Sequence, residues 1–149
     1  MKLQAQWIVG FVDGEGCFHV SVNKHKSMKF GVQVLPEFLV VQHERDRQIL
    51  EAFKATFKCG YIKKNREQRL CYLVRNTQHL LNIIIPFFEK HSLKTKKHID
   101  FIKFRKILLK MQEKKHLEKE GLEDIKKIVH DMRKYYIIRN NKVINETKD

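Results

Sequence analysis

The chain has 149 residues, 42% of them apolar and ten of them phenylalanine, which is enough to bury a core and excludes a disordered basic tail. Its 31 lysines and arginines outnumber 17 aspartates and glutamates, giving a formal charge of +14. The expected partner is therefore a polyanion, with DNA or RNA ahead of an anionic membrane surface. No apolar run approaches the roughly 20 residues of a membrane span, so a membrane protein is not expected. Cys17, Cys59 and Cys71 are odd in number and lack C-x-x-C spacing, which argues against both a disulfide framework and a zinc site. The opening MKLQAQWIVGF is a short apolar stretch soon followed by Asp13 and Glu15, so it does not read as a secretory signal or a transit peptide. The protein is expected to act in the compartment where it is made. With no internal repeat and no Pro/Gly/Ser-rich linker, one domain over residues 1–149 is expected.

In chain order, Leu3 to Val12 reads as a short helix buried on most sides and ended by Gly14 and Gly16. Cys17 to Asn23 alternates, with Phe18, Val20 and Val22 inward and His19, Ser21 and Asn23 outward, the pattern of a half-buried strand. A charged turn over Lys24 to Lys29 leads into a long second strand, Phe30 to Gln42, with Val32, Val34, Phe38 and Val40 on one face. Pro36 predicts a bulge or an edge position there. Arg45 to Phe57 carries Ile49, Leu50, Phe53 and Phe57 at helical spacing. Gly60 to Asn65 and Leu70 to Asn76 predict a hairpin turning near Arg66 and Glu67. Three helices follow: Thr77 to Phe88; Lys96 to Lys115, with Ile99, Ile102, Leu108 and Met111 inward; and Leu122 to Arg139, with Leu122, Ile125, Val129, Met132 and Tyr136 inward. The order αββαββ followed by helices predicts an α+β fold, one antiparallel sheet covered by helices on one face and open on the other.

The segment Ile8-Val9-Gly10-Phe11-Val12-Asp13-Gly14-Glu15-Gly16 carries the chemistry. Gly10 and Gly14 share one helix face and permit another helix backbone to come close. Asp13 and Glu15 stand at the C-terminal end, where the helix dipole disfavours acids by roughly 0.3–1 kcal/mol each. Excess negative charge and unpaired carbonyls in one spot suit a hard divalent cation such as Mg²⁺; an ordinary helix stop with solvated acids is the alternative.

This segment resembles the signature of the LAGLIDADG homing endonucleases, with Ile8 and Val9 in place of the family's leading Leu-Ala. The likeness extends over residues 3 to about 110 through the αββαββα order and the polar face of the first strand. It implies that two motif helices pack together through Trp7, Gly10, Phe11, Asp13 and Gly14, and that Glu15, with the Gly14 carbonyl, binds the catalytic metal. Asp13 takes a structural, capping role. A single motif implies a homodimer with one Glu15 from each copy. Gln42 resembles the glutamine that positions a water, and Lys94 the lysine that stabilises charge near the scissile phosphate. Arg45 and Arg47 are further basic candidates.

The expected DNA-reading surface is the open sheet face. Its residues are His19, Ser21, Asn23 and His25 from the first strand and turn, and Gln33 and Glu37 from the second. Lys63, Asn65, Arg69 and Cys71 come from the second hairpin. Leu35 and Leu39 share that parity and suit thymine methyls or a partner. Lys103, Arg105, Lys106 and Lys110 are expected phosphate contacts. The resemblance implies a Mg²⁺-dependent, site-specific double-strand DNA endonuclease that is intron-encoded. The Lys-, Ile- and Asn-rich composition suggests an A/T-rich organellar genome, mitochondrial or chloroplast. The competing readings are an intron-RNA-binding maturase without cleavage and a non-catalytic DNA-binding factor.

Overall fold

The computed structural model describes the backbone of residues 1–146 and the side chains of residues 1–133. Helix α1 (Ala5–Glu15) leads without a loop into strand β1 (Gly16–Lys24), which turns into β2 (Val32–His43). Helix α2 (Arg47–Phe57) and the hairpin β3 (Tyr61–Lys64) and β4 (Arg69–Val74) follow. The helical half comprises α3 (Thr77–His79), a π-helical stretch Leu80–Ile84, α4 (Ile85–Lys90), α5 (Lys97–Gln112) and α6 (Lys119–Glu146). The sheet is four-stranded in the order β1-β2-β4-β3 with every neighbour antiparallel. This is the α+β architecture that the hydropathy pattern predicts.

The register fixes which side chains share a face. His19 lies opposite Glu37, Ser21 opposite Leu35 and Asn23 opposite Gln33, while Phe18 lies opposite Phe38. Because side chains alternate, Phe18, Val20, Val34, Phe38 and Val40 turn inward and are buried. Pro36 sits opposite Val20. The Val20 carbonyl points to the free edge of β1, where Arg133 donates to it at 3.3 Å. The Val20–Pro36 pair is therefore one without mutual hydrogen bonds. The missing N–H of Pro36 points instead toward the β4 side, where pairing begins only at Phe38. This is an edge position, with the register running through it unbroken.

Helices α1, α2, α4, α5 and α6 pack against the inner face of the sheet in one aromatic-rich core. The ring of Phe18 lies 5.2 Å from Phe38, 5.5 Å from Phe88, 5.4 Å from Phe101 and 5.3 Å from Phe104. In α6, Leu122, Ile125, Val129 and Met132 are buried as their spacing predicts; Tyr136 lies outside the described side chains.

Several expectations are corrected. Helix α1 does not end at Val12; it runs through Asp13, Gly14 and Glu15, and only Gly16 leaves it. A Cβ at Gly16 would lie 2.6 Å from the Val12 side chain, so glycine is what allows a strand to begin at the helix end. Nor is α1 buried on most sides. Ile8, Val9 and Val12 are buried, whereas Trp7, Gly10 and Gly14 are exposed. The helix expected from Thr77 widens to π geometry just before Pro86, whose ring would clash with the carbonyl one α-turn back and which has no N–H to give it. In α5 the inward stripe is Phe101, Phe104, Ile107 and Leu108. Ile99 and Ile102 stay 50% and 48% exposed, because the two phenylalanines fill the space beneath β1 and set the helix rotation.

Phe18 packs on four aromatic rings and is only 4% exposed, so it anchors both layers. Phe18→Ala is expected to lower stability by about 3–5 kcal/mol, read as a lower urea midpoint with an unchanged slope.

Candidate nuclease site at the end of the first helix

The C-terminal end of α1 is where the sequence motif, the sheet end and the start of α5 converge. The Asp13 carboxylate accepts from the Lys94 N–H at 2.9 Å, the Thr95 N–H at 3.2 Å and the Thr95 hydroxyl at 2.7 Å. Partial burial works against its ionised form. The hydrogen bonds from Lys94 and Thr95 and the nearby Lys97 charge outweigh this, and the net effect holds the carboxyl below its ordinary pKa. Asp13 thus joins segments 81 and 82 residues apart.

Lys97 completes the junction. Its ammonium donates to the Val12 carbonyl at 3.1 Å and the Asp13 carbonyl at 3.2 Å. A cation on the last carbonyls of a helix both satisfies them and offsets the dipole. Sequence reasoning singled out Lys94 and left Lys97 within a basic run. In the structure, Lys94 contributes its backbone to Asp13 while its exposed ammonium turns back to the Ser92 carbonyl at 3.2 Å. The ammonium at the acid-bearing end belongs to Lys97. The spacing of Lys97 from Asp100, which ion-pairs with Lys96 at 3.0 Å, carried no signal of this before the fold was in place.

Glu15 is exposed and, among the described residues, has no hydrogen-bond or ion-pair partner. Gln42 stands two residues past the Gly16–Val40 pairing, at the same end of the sheet. Its side-chain oxygen accepts from the His43 N–H at 2.9 Å, which fixes the amide. Glu15, Gln42, Asp13, Lys94 and Lys97 therefore share one end of the molecule. Arg45 and Arg47 do not extend the cluster freely, because they face Asp46 at 3.9 Å and Glu51 at 3.3 Å. Among the described residues no three His, Cys, Asp or Glu side chains gather around one point. The oxygen donors this chain offers a cation here are the Glu15 carboxylate and the Gly14 carbonyl. They fit a hard ion that takes its remaining ligands from outside the chain.

On α1, a Cβ added at Gly10 or Gly14 would meet nothing within 4 Å. Neither glycine has the positive φ that favours glycine, and each costs a helix roughly 1 kcal/mol relative to alanine. Nothing among the described residues requires them. Trp7, 42% exposed and stacked on Phe11 at 5.0 Å, flanks the same open stripe.

The open sheet face collects most of the expected reading residues. His19, Ser21, Asn23, Gln33 and Glu37 share it by register. Lys63 lies opposite Cys71, and Asn65 donates to the Arg69 carbonyl at 2.8 Å, so the hairpin residues come together as predicted. His25 is held at the turn by a 2.8 Å contact between its Nδ1 and the Ser27 hydroxyl. Two expectations change. Cys71 has the right parity but is 2% exposed, covered by its longer neighbours, and leaves a duplex nothing to touch. Glu37 is engaged by Arg75, which donates from Nε to Oε2 at 2.8 Å. Arg75 was missed because it follows the strand; it lies on the open face one step beyond the Phe38–Val74 pair. The basic residues of α5 stand behind the sheet, and Arg105 is paired with Glu89 at 3.4 Å. Burial raises the thiol pKa of Cys17, Cys59 and Cys71, so none is a ready nucleophile.

Residues 8–108 match the family model described as LAGLIDADG endonuclease. The chain is 38% identical over 125 residues to a probable intron-encoded endonuclease 2 of Neurospora crassa, covering 83% of this chain and 28% of that protein. With DNA endonuclease I-CeuI of Chlamydomonas moewusii it shares 34% identity over 87 residues, 57% of this chain and 40% of the relative. It thus spans less than half the length of either curated relative. Among solved structures, the homing endonuclease I-TnaI superposes with a TM-score of 0.86 at 51% identity, covering 89% of each chain. The I-SmaMI LAGLIDADG homing endonuclease bound to cleaved DNA superposes at 0.83 with 36% identity, covering 85% of this chain and 42% of the other. The chain belongs to the LAGLIDADG endonuclease family, and its sheet and helices have the fold of those homing endonucleases.

Because the folded pKa of Asp13 is depressed, its tie contributes stability that is fully present above the ordinary aspartate value of about 3.9 and is lost as pH falls through the folded value. Asp13→Asn should therefore be less stable by about 1–2 kcal/mol at neutral pH. The gap to the parent should close in acid; a gap constant from neutral pH to strong acid would show that the carboxylate charge is not what holds the junction.

Proposed function

We propose that this chain is a Mg²⁺-dependent, site-specific double-strand DNA endonuclease of the homing type, acting as two copies that meet through α1. The observation that carries this is Glu15, exposed and, among the described residues, unpaired, at the end of a helix where a Cβ added at Gly10 or Gly14 would meet no described atom within 4 Å. Packing two such helices side by side brings two Glu15 carboxylates together. Their repulsion, added to that of two helix C-termini, favours a divalent cation at that point. I-TnaI, a homing endonuclease matched over 89% of its chain, and I-SmaMI, solved on DNA and also in the presence of calcium ions, support a DNA substrate and a hard cation.

When bound, the cation supplies charge that acidifies water and offsets negative charge on the phosphate. The chain's own residues do the rest. Glu15 and the Gly14 carbonyl hold the ion. The Gln42 amide, fixed through the His43 N–H, orients a water at the sheet end. Lys97 uses two of its three donors on Val12 and Asp13, and the third is available to a phosphate oxygen. Lys94, exposed beside it, adds positive charge to the same approach. The open face lies along the duplex, and each copy reads one half of a near-palindromic target. Relatives named for introns of ND4 and cox1 support an intron-encoded, organellar enzyme.

Glu15→Gln is expected to abolish cleavage in Mg²⁺ while duplex binding persists or tightens, measured by gel shift and cleavage on the same target. Normal double-strand cutting by this variant defeats the proposal, and a parent protein that binds intron RNA but leaves DNA intact would make it a maturase instead. Gly10→Leu should prop the helices apart and shift the sedimentation mass from two copies to one. A dimeric, active Gly10→Leu protein would move the interface away from α1.

A further inference from the structure

We propose that Arg75 reads a guanine in the DNA target with the outer edge of its guanidinium, and that Glu37 is the positioning residue that aims it. The proposal rests on the open sheet face lying against DNA, and it concerns which base that face recognises.

Arg75 extends the β4 ladder one step past the Phe38–Val74 pair, so it stands across from Glu37 on the open face. Glu37 is in turn opposite His19 on β1, which makes a row of His19, Glu37 and Arg75 across the sheet. The row sits midway along β2, the longest strand. Glu37 is the one acid among the outward-facing strand residues, and its side chain is only 15% exposed while that of Arg75 is 52% exposed. The carboxylate is thus set into the floor and the guanidinium stands above it. The contact uses Nε. Among the described residues no other hydrogen bond engages its terminal NH₂ groups, which form the planar fork that matches O6 and N7 of guanine in the major groove.

A free arginine on this face, such as Arg69, must lose side-chain entropy to find one base edge. Arg75 is already held, so less is lost on binding. A phosphate contact needs no such aiming, and an acid beneath it weakens attraction to the backbone. An acid retained on a face turned to a polyanion is therefore better explained by orientation than by affinity. Glu37 could instead accept from a cytosine amino group, but its Oε2 is already engaged and its side chain is largely covered.

The test is selection of bound duplexes from a randomised library by the whole protein, followed by the same selection with Arg75→Ala, Arg75→Lys, Glu37→Ala and Glu37→Gln, each checked for folding by circular dichroism. The parent should enrich a guanine at one position of each half-site. Arg75→Ala should lose roughly five- to 140-fold of the preference there and leave other positions unchanged. Arg75→Lys keeps the charge and the fold but lacks the fork, so affinity should hold while the guanine preference falls. Glu37→Ala should weaken the preference at that same position and raise overall affinity at low salt; Glu37→Gln, whose amide oxygen still accepts from Nε, should restore part of it. An unaltered profile in folded Arg75 variants overturns the proposal, as does a uniform loss of affinity, which marks a phosphate contact. Loss of a cytosine preference in Glu37→Ala with the guanine intact would make Glu37 the reader. A parent that enriches no sequence removes the nuclease reading itself, and this one with it.

Discussion

The junction between the end of α1 and the segment before α5 is the constraint on which the rest depends. A helix that ends in two acids works against its own dipole, and its last carbonyls need donors. Asp13 turns this liability into a tie by accepting two backbone N–H groups and a hydroxyl from residues Lys94 and Thr95. Lys97 closes the other side by donating to the Val12 and Asp13 carbonyls. The N-terminal helix is thereby locked to the C-terminal helical half, and β1 leaves from a fixed point. The position of Gly16 against Val40, and with it the placement of Gln42, follows from that point.

Much of the architecture was legible because its periods were clean. The alternation from Cys17 to Asn23 gave the face of every residue in β1, and the hairpin turning at Arg66 and Glu67 was marked by polar residues between apolar runs. The burial of Leu122, Ile125, Val129 and Met132 followed from helical spacing alone. What failed had competing solutions. In α5, Ile99 and Ile102 form as good a stripe as Phe101 and Phe104; the choice lies with the aromatic pocket around Phe18, which no local pattern contains. Cys71 had the right parity for the open face, but parity does not report what longer neighbours cover.

At the site the same distinction holds. Glu15 and Asp13 were legible because acids at a helix C-terminus are a local anomaly. Lys97 was not, since its role depends on a contact 84 and 85 residues away, and a run of lysines offers several equal choices. Arg75 was hidden for a similar reason. It lies just past a strand end, and its meaning comes from Glu37, 38 residues earlier, through a register that only the folded sheet defines.

The distribution of acids through the functional half of a chain of charge +14 completes the electrostatic argument. Asp13 is met by N–H donors and lies near Lys97. Asp100, 3% exposed, is paired with Lys96 at 3.0 Å. Glu37, on the open face, is paired with Arg75. Each of these is compensated within the chain, as a buried or half-buried carboxylate must be if it is to stay charged. Glu15 is different: it is exposed at a helix end where its charge is unfavourable, and among the described residues no cation pairs with it. The exposed Lys94 ammonium turns to the Ser92 carbonyl. The compensation left out of the fold is therefore the one that an external cation is able to supply, at the same helix end where Lys97 donates to the Val12 and Asp13 carbonyls.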